Sequence, residues 1–180
     1  SRHGNCATTP RGKTGVNSTD RRGSDPSTTG ANRSRRRAMK PASVYVHFPW
    51  CLAKCPYCDF TSYAAKPETI PHDRYADAVI HELRARVAGL RAAGVEYTIG
   101  TVFFGGGTPS LWKAEALGRV LAAIREELPT VEDLEVTAEC NPTSLDRDHA
   151  DALAAVGVNR ASIGTQSLRE EELKFLGRLH

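Results

Sequence analysis

The sequence has a single methionine, Met39, and its first forty residues contain no leucine, isoleucine or phenylalanine. A segment without such side chains buries too little apolar surface to offset its ordering entropy, so residues 1–40 are expected to form a disordered basic arm. The same lack denies the arm an amphipathic face, which weighs against an organelle transit peptide although the segment is rich in Arg and Ser. Met39, directly before the first strand-like run, is the expected natural start. No apolar run approaches the about 20 residues that span a bilayer, and no signal-peptide core is present, so no transmembrane segment is expected. Cysteines are too few and too clustered for a disulfide framework, with Cys51, Cys55 and Cys58 inside eight residues and only two others in the chain. Thiols set that closely, without a secretion signal, read as metal ligands in a reducing compartment, and the cytoplasm is the expected location.

Charge of one sign is also missing overall. The formal charge is +3, but residues 1–40 hold ten Lys and Arg against Asp20 and Asp25, leaving fourteen basic and nineteen acidic residues in the remainder. A mildly acidic body predicts no nucleic-acid partner. With 40% hydrophobic residues, positions 41–180 suffice for one domain with a real core.

What is present is alternation of strand and helix patterns. Val44–Phe48, Ile99–Phe104, Leu134–Glu139 and Val158–Gly164 read as short buried strands. Between and after them, 72–93, 114–128, 146–156 and 169–176 carry apolar residues at helical spacing, closed by Gly94, Pro129 and Gly157. Strands alternating with helices predict an α/β fold with a parallel sheet, here about four βα units of a partial (β/α) barrel. The chain stops where another strand is due and reads as a fragment. Cysteines, glycines, Glu139 and Gln166 all fall at the C-terminal ends of the strands, the edge where parallel α/β folds bind ligands.

The strongest chemical signal is Cys51-x3-Cys55-x2-Cys58 after the first strand. Three thiolates on one loop suit three corners of a [4Fe–4S] cluster and leave one iron open. S-adenosylmethionine (SAM) fills such an iron through its amino and carboxylate groups; one-electron reduction then cleaves its C–S bond to a 5′-deoxyadenosyl radical. The competing reading is structural zinc, with His47 or Cys140 as fourth ligand. Spacing and the aromatic Tyr57 between ligands favour the cluster. Gly105-Gly106-Gly107-Thr108-Pro109 offers close backbone approach and free N–H groups to the amino acid end of SAM. Out of context, Glu139, Gln166 and Arg178 are ordinary polar residues, Cys140 a small buried one, and His47 a satisfied core histidine.

Together these stretches resemble a known family. Tyr45-Val46-His47-Phe48-Pro49-Trp50-Cys51, then Cys55-Pro56-Tyr57-Cys58-Asp59-Phe60, is similar to the radical SAM proteins of the oxygen-independent coproporphyrinogen III oxidase family. Phe104-Gly-Gly-Gly-Thr-Pro-Ser110, Glu139-Cys-Asn-Pro142, Gly157 to Ser167, and Leu176-Gly-Arg-Leu-His180 continue the match. The oxidases carry a fourth cysteine where this chain has Phe60, and the Cys-Pro-Tyr-Cys-Asp-Phe form resembles the HemW-type haem chaperones. The resemblance implies Cys51, Cys55 and Cys58 as cluster ligands. It implies SAM contacts from Tyr45, Tyr57, Gly106, Gly107, Thr108, Glu139, Gln166 and Arg178. It further implies haem as cargo, a haemoprotein recipient and a reductant for the cluster. The alternative is the oxidase activity itself, oxidative decarboxylation of a porphyrinogen, which Phe60 disfavours.

Overall fold

The computed structural model describes residues 39–178; most of the expected arm, and residues 179–180, lie outside the described residues. In chain order the elements are β1 (Lys40–Phe48), the two-residue strands β2 (Trp50–Cys51) and β3 (Tyr63–Ala64), α1 (His72–Ala92), β4 (Tyr97–Gly106), α2 (Ala114–Glu127), β5 (Thr130–Cys140), α3 (Arg147–Ala155), β6 (Arg160–Ile163) and α4 (Glu170–Phe175). Strands β1, β4, β5 and β6 form one sheet in that order, every pair parallel. This is the expected four-unit α/β arrangement. Lys40, placed at the end of the arm from sequence, is instead the first residue of β1, paired with Tyr97. The pair β2 and β3, also parallel, was not visible as a pattern because two residues carry no periodicity.

Two faces of the sheet differ. Val46 and Phe48, Val102 and Phe104, Val136 and Ala138 point into the helix layer and are buried. They meet Leu117, Val120, Leu121 and Ile124 of α2, the i, i+3, i+4, i+7 stripe of an amphipathic helix. Phe48, Trp50, Tyr75 and Trp112 interlock beside this core, Phe48 stacking on Trp112 at 5.0 Å and Trp50 meeting Tyr75 edge-on at 4.7 Å. The opposite face is polar at its lower end. There Thr101 donates to Ser43 at 2.7 Å, Thr137 donates to Glu135 at 3.1 Å, and Arg160 pairs with Glu135 at 3.0 Å.

Helices α1 and α3 stop on the glycines that the sequence marks. Gly94 N–H donates to Arg91 O and Val95 N–H to Leu90 O, and Gly157 and Val158 repeat the pattern on Ala154 and Leu153. Among the described residues no helix is long and apolar enough to cross a membrane.

Because Leu121 is fully enclosed between α2 and the sheet, Leu121→Ala is expected to cost about 2–5 kcal/mol of stability. Arg84→Ala, which removes an exposed pair to Glu126 and one to the half-buried Glu127 that Arg91 also holds, should cost less than about 1 kcal/mol. Urea unfolding of both variants checks the contrast.

Candidate functional site

The cysteine loop is anchored at both ends by the small parallel pair. Tyr63 N–H donates to Pro49 O at 2.8 Å and Ala65 N–H to Cys51 O at 2.9 Å, while Cys58 N–H closes a turn onto Cys55 O. All three thiols are free and half-buried, and all three line one open cleft of about 330 Å³ at the C-terminal edge of the sheet. That volume is of the order of small-molecule sites.

The glycine run closes against this loop. Gly107 N–H donates to Phe48 O at 2.6 Å and Thr108 N–H to Trp50 O at 2.8 Å. A Cβ on Gly107 would stand 2.6 Å from Trp50 O, and one on Gly106, whose φ is +116°, would meet the His47 ring at 2.6 Å. Glycine is therefore required here by the protein's own backbone. From sequence these N–H groups were expected to be free for a ligand; the structure engages them internally. Gly106 N–H donates to the Glu139 carboxylate at 3.0 Å, because β5 ends beside the turn.

Tyr45 lies on the same face of the sheet, stacked on Phe103 at 6.1 Å. Burial first, and then the Glu139 charge, push its phenol above the usual value. His47 Nε2 lies 2.8 Å from Thr61 O, and a carbonyl only accepts, so Nε2 carries the proton and Nδ1 accepts from the Tyr45 hydroxyl at 3.2 Å. Both ring nitrogens are thus occupied, in line with a satisfied histidine. Burial pushes the Cys140 thiol up, and the thiol donates to Ala138 O at 3.4 Å. His47 is not among the residues lining the cleft, whereas Cys140 lines it with its thiol turned to a main-chain oxygen. Among the described residues no three His, Cys, Asp or Glu side chains converge on a point that would hold one metal ion. Three thiols spread around a cleft fit a cube, which takes one thiolate per iron, better than a closed tetrahedral site.

The last helix delivers Arg178. Gly177, with φ +65°, ends α4 by donating to Lys174 O, and Arg178 N–H donates to Leu173 O. This turn rests near the Pro56 ring of the cysteine loop. Arg178 then reaches Gly164 O through Nη2 at 2.6 Å and Cys55 Sγ through Nη1 at 3.5 Å, while its buried Nε has no partner. Burial, followed by the neighbouring Cys55, raises the Tyr57 phenol, and Arg178 opposes that shift. Gln166 enters the cleft with φ +63°, a conformation that non-glycine residues seldom hold without cause.

Cys51, Cys55, Cys58, Tyr57, Gly106, Gly107, Thr108, Glu139, Gln166 and Arg178 therefore border one cleft. Tyr45 stands behind it: a Cβ on Gly105 would lie 2.8 Å from the Tyr45 ring and 3.0 Å from Glu139 Oε2. Sequence reasoning assigned no role to Lys54, Asn141, Ser162 or Gly164, which also line the cleft. Ser162 carried a usable signal, since it lies two residues before Gly164 on the last strand and pairs with Glu139. Lys54 and Asn141 sit in loops and carried none.

Such a cleft, with its thiols and glycine turn on the C-terminal edge of a parallel sheet, is found in a large class of cofactor-dependent proteins. The chain matches the radical SAM superfamily over residues 45–180 and belongs to it; that family implies a [4Fe–4S] cluster and SAM. In sequence it is 45% identical over 142 residues to the haem chaperone HemW of Escherichia coli, covering 79% of this chain and 36% of that protein. It is 42% identical over 147 residues to the mitochondrial radical S-adenosyl methionine domain-containing protein 1 of Mus musculus, covering 82% of this chain and 32% of the other. In structure it is similar to coproporphyrinogen III oxidase (HemN) of Escherichia coli, a radical SAM enzyme, with a TM-score of 0.68 and 27% identity. That match covers 79% of this chain and 32% of the other. The chain thus spans about a third of the length of these relatives.

The backbone contact at Gly107 makes a direct prediction. Gly107→Ala should displace the turn from Trp50 O and cost roughly 1–3 kcal/mol by overpacking. Cluster content after anaerobic reconstitution should fall with it, read as iron bound per chain.

Proposed function

We propose that this chain is the cofactor-binding part of a haem chaperone that holds a SAM-ligated [4Fe–4S] cluster and delivers haem to a recipient haemoprotein. The observation that carries the reading is the composition of the cleft: three free thiols, a glycine turn, Glu139, Gln166 and Arg178 on one side, and Phe60 rather than a fourth cysteine at its edge. The similarity to HemW points the same way. In this reading Cys51, Cys55 and Cys58 hold the cluster. Tyr45, Tyr57, Gly106, Gly107, Thr108, Glu139, Gln166 and Arg178 hold SAM, and the unpartnered Nε of Arg178 is the donor left over for it. When bound, the cluster and SAM supply one-electron cleavage of the C–S bond. The chain's own residues bind and orient: Glu139 accepts N–H groups, Arg178 offsets thiolate charge at Cys55, and Tyr57 offers an aromatic face. A reductant for the cluster and a reducing compartment, the cytoplasm, complete the proposal.

Similarity to HemN supports a second reading, an oxygen-independent coproporphyrinogen III oxidase. The full-length protein, reconstituted anaerobically with iron and sulfide, separates the two. The chaperone is expected to bind about four irons, take up haem and leave coproporphyrinogen III unchanged; turnover of the porphyrinogen makes it an oxidase. Replacing any one of Cys51, Cys55 or Cys58 by Ala should abolish the cluster absorbance, and retention of full absorbance counts against the ligand set.

Gln166 gives an independent test. Gln166→Gly relieves a left-handed conformation but loosens the unfolded chain, so stability should change by less than about 1 kcal/mol while SAM binding weakens. A thermal melt and a SAM titration on the same sample read the two effects, and unchanged SAM affinity removes Gln166 from the site.

A further inference from the structure

Behind the cleft, two serine hydroxyls bridge the main-chain N–H and C=O of one residue, Asn141. Asn141 N–H donates to Ser110 Oγ at 3.0 Å, Ser110 Oγ and Ser144 Oγ lie 2.6 Å apart, and Ser144 Oγ donates to Asn141 O at 3.1 Å. The two main-chain bonds have fixed directions, and the hydroxyl pair follows when Ser144 keeps its bond to Asn141 O. An N–H only donates and a carbonyl only accepts, and each hydroxyl has one hydrogen. Ser144 spends its hydrogen on Asn141 O, so Ser110 donates to Ser144. The result is a one-way cycle in which each bond polarises the next.

Its position matters more than its strength. Ladder pairing between β4 and β5 ends at Phe104 opposite Ala138. Beyond that point Gly105–Gly107 and Glu139–Asn141 are no longer held together by the sheet, yet both segments line the cleft. Two ties remain. Gly106 N–H to Glu139 is the tie within the cleft, and the serine ring is the tie behind it. Ser110 is 1% exposed and takes no part in lining the cleft. It lies in a single helical turn, Pro109–Leu111, that continues from the glycine run, and Ser144 closes the matching turn Pro142–Ser144 after β5.

We infer that Ser110 is a positioning residue for SAM binding: through the ring with Ser144 it sets the spacing between the glycine turn and Glu139. The inference rests on the assignment of this cleft to SAM. Losing the ring frees the end of β5 to move relative to the glycine turn, so the cleft must be ordered each time SAM binds.

The test uses the full-length protein with its cluster reconstituted anaerobically, reading iron content, thermal stability and the change that SAM makes in the electron paramagnetic resonance spectrum of the reduced cluster. Ser110→Ala is expected to keep its iron and to weaken SAM about tenfold, the scale of one lost hydrogen-bond tie. Ser144→Ala should do the same, the double variant should be no weaker than either single one, and Ser110→Thr should restore affinity. If Ser110→Ala does not fold, Ser144→Ala, whose side chain is only half-buried, carries the test. Wild-type SAM affinity with only a lowered melting temperature makes the ring a fold element and overturns the inference, as do independent, additive losses in the double variant. A wild-type protein that holds its cluster but gives no SAM signal overturns the cofactor assignment and this inference together.

Discussion

The site depends on one close approach of backbone, where the end of β4 meets the segment leading from β1 into the cysteines. Gly107 and Thr108 donate to Phe48 and Trp50, carrying the β1–β4 pairing beyond the ladder into the two loops. Burying those carbonyls without partners would cost more than the bonds themselves contribute. The approach leaves no room for a Cβ at Gly107. It also fixes where Cys51 begins, since Trp50 is its immediate neighbour and packs edge-on against Tyr75. The position of the first thiol is therefore set by core packing and the glycine turn together.

Residues far apart in sequence reach the cleft by the same economy of short connections. Arg178 and Cys55 are 123 positions apart, yet the link between them is one left-handed glycine at the end of a six-residue helix. A helix that short has little stability of its own. What holds it is the ending at Gly177, the contact with Pro56 and the Arg178 bond to Gly164 O. The guanidinium is a ligand-binding group in the proposed function and a structural tie in the fold, which is why its Nη2 is satisfied while its Nε is left without a partner.

Much of this was legible in the sequence. The four strand–helix units could be read because alternation of buried strands and amphipathic helices has few folded solutions, and Gly94 and Gly157 marked helix ends for a stated geometric reason. The cysteine spacing marked the loop whose three thiols the structure brings to one cleft. Other features were not legible. Strand β4 runs through Gly105 and Gly106, where glycine signals an ending, because β1 continues to pair opposite them at His47 and Phe48. The glycine N–H groups looked available and are not, since availability depends on which strand end lies alongside. The serine ring was invisible because Ser110 and Ser144 are unremarkable residue types whose partner is a peptide group. No pattern of side chains announces a bond to backbone.

At position 60 the path of the loop does not depend on the side chain. The carbonyl of Phe60 accepts from Lys54 Nζ at 3.4 Å and from Ser62 Oγ at 3.3 Å. The loop holds itself at this point through main-chain oxygen and neighbouring side chains. The phenyl ring is 63% exposed and contributes little to the path of the chain. A cysteine there, as in the oxidases that the sequence resembles, would leave the backbone bonds intact and alter only what faces the cleft. Cys51, Cys55 and Cys58 sit on a loop anchored elsewhere, by β2, β3 and the glycine turn. The identity of the side chain at position 60 can therefore change without disturbing the path of the cysteine loop.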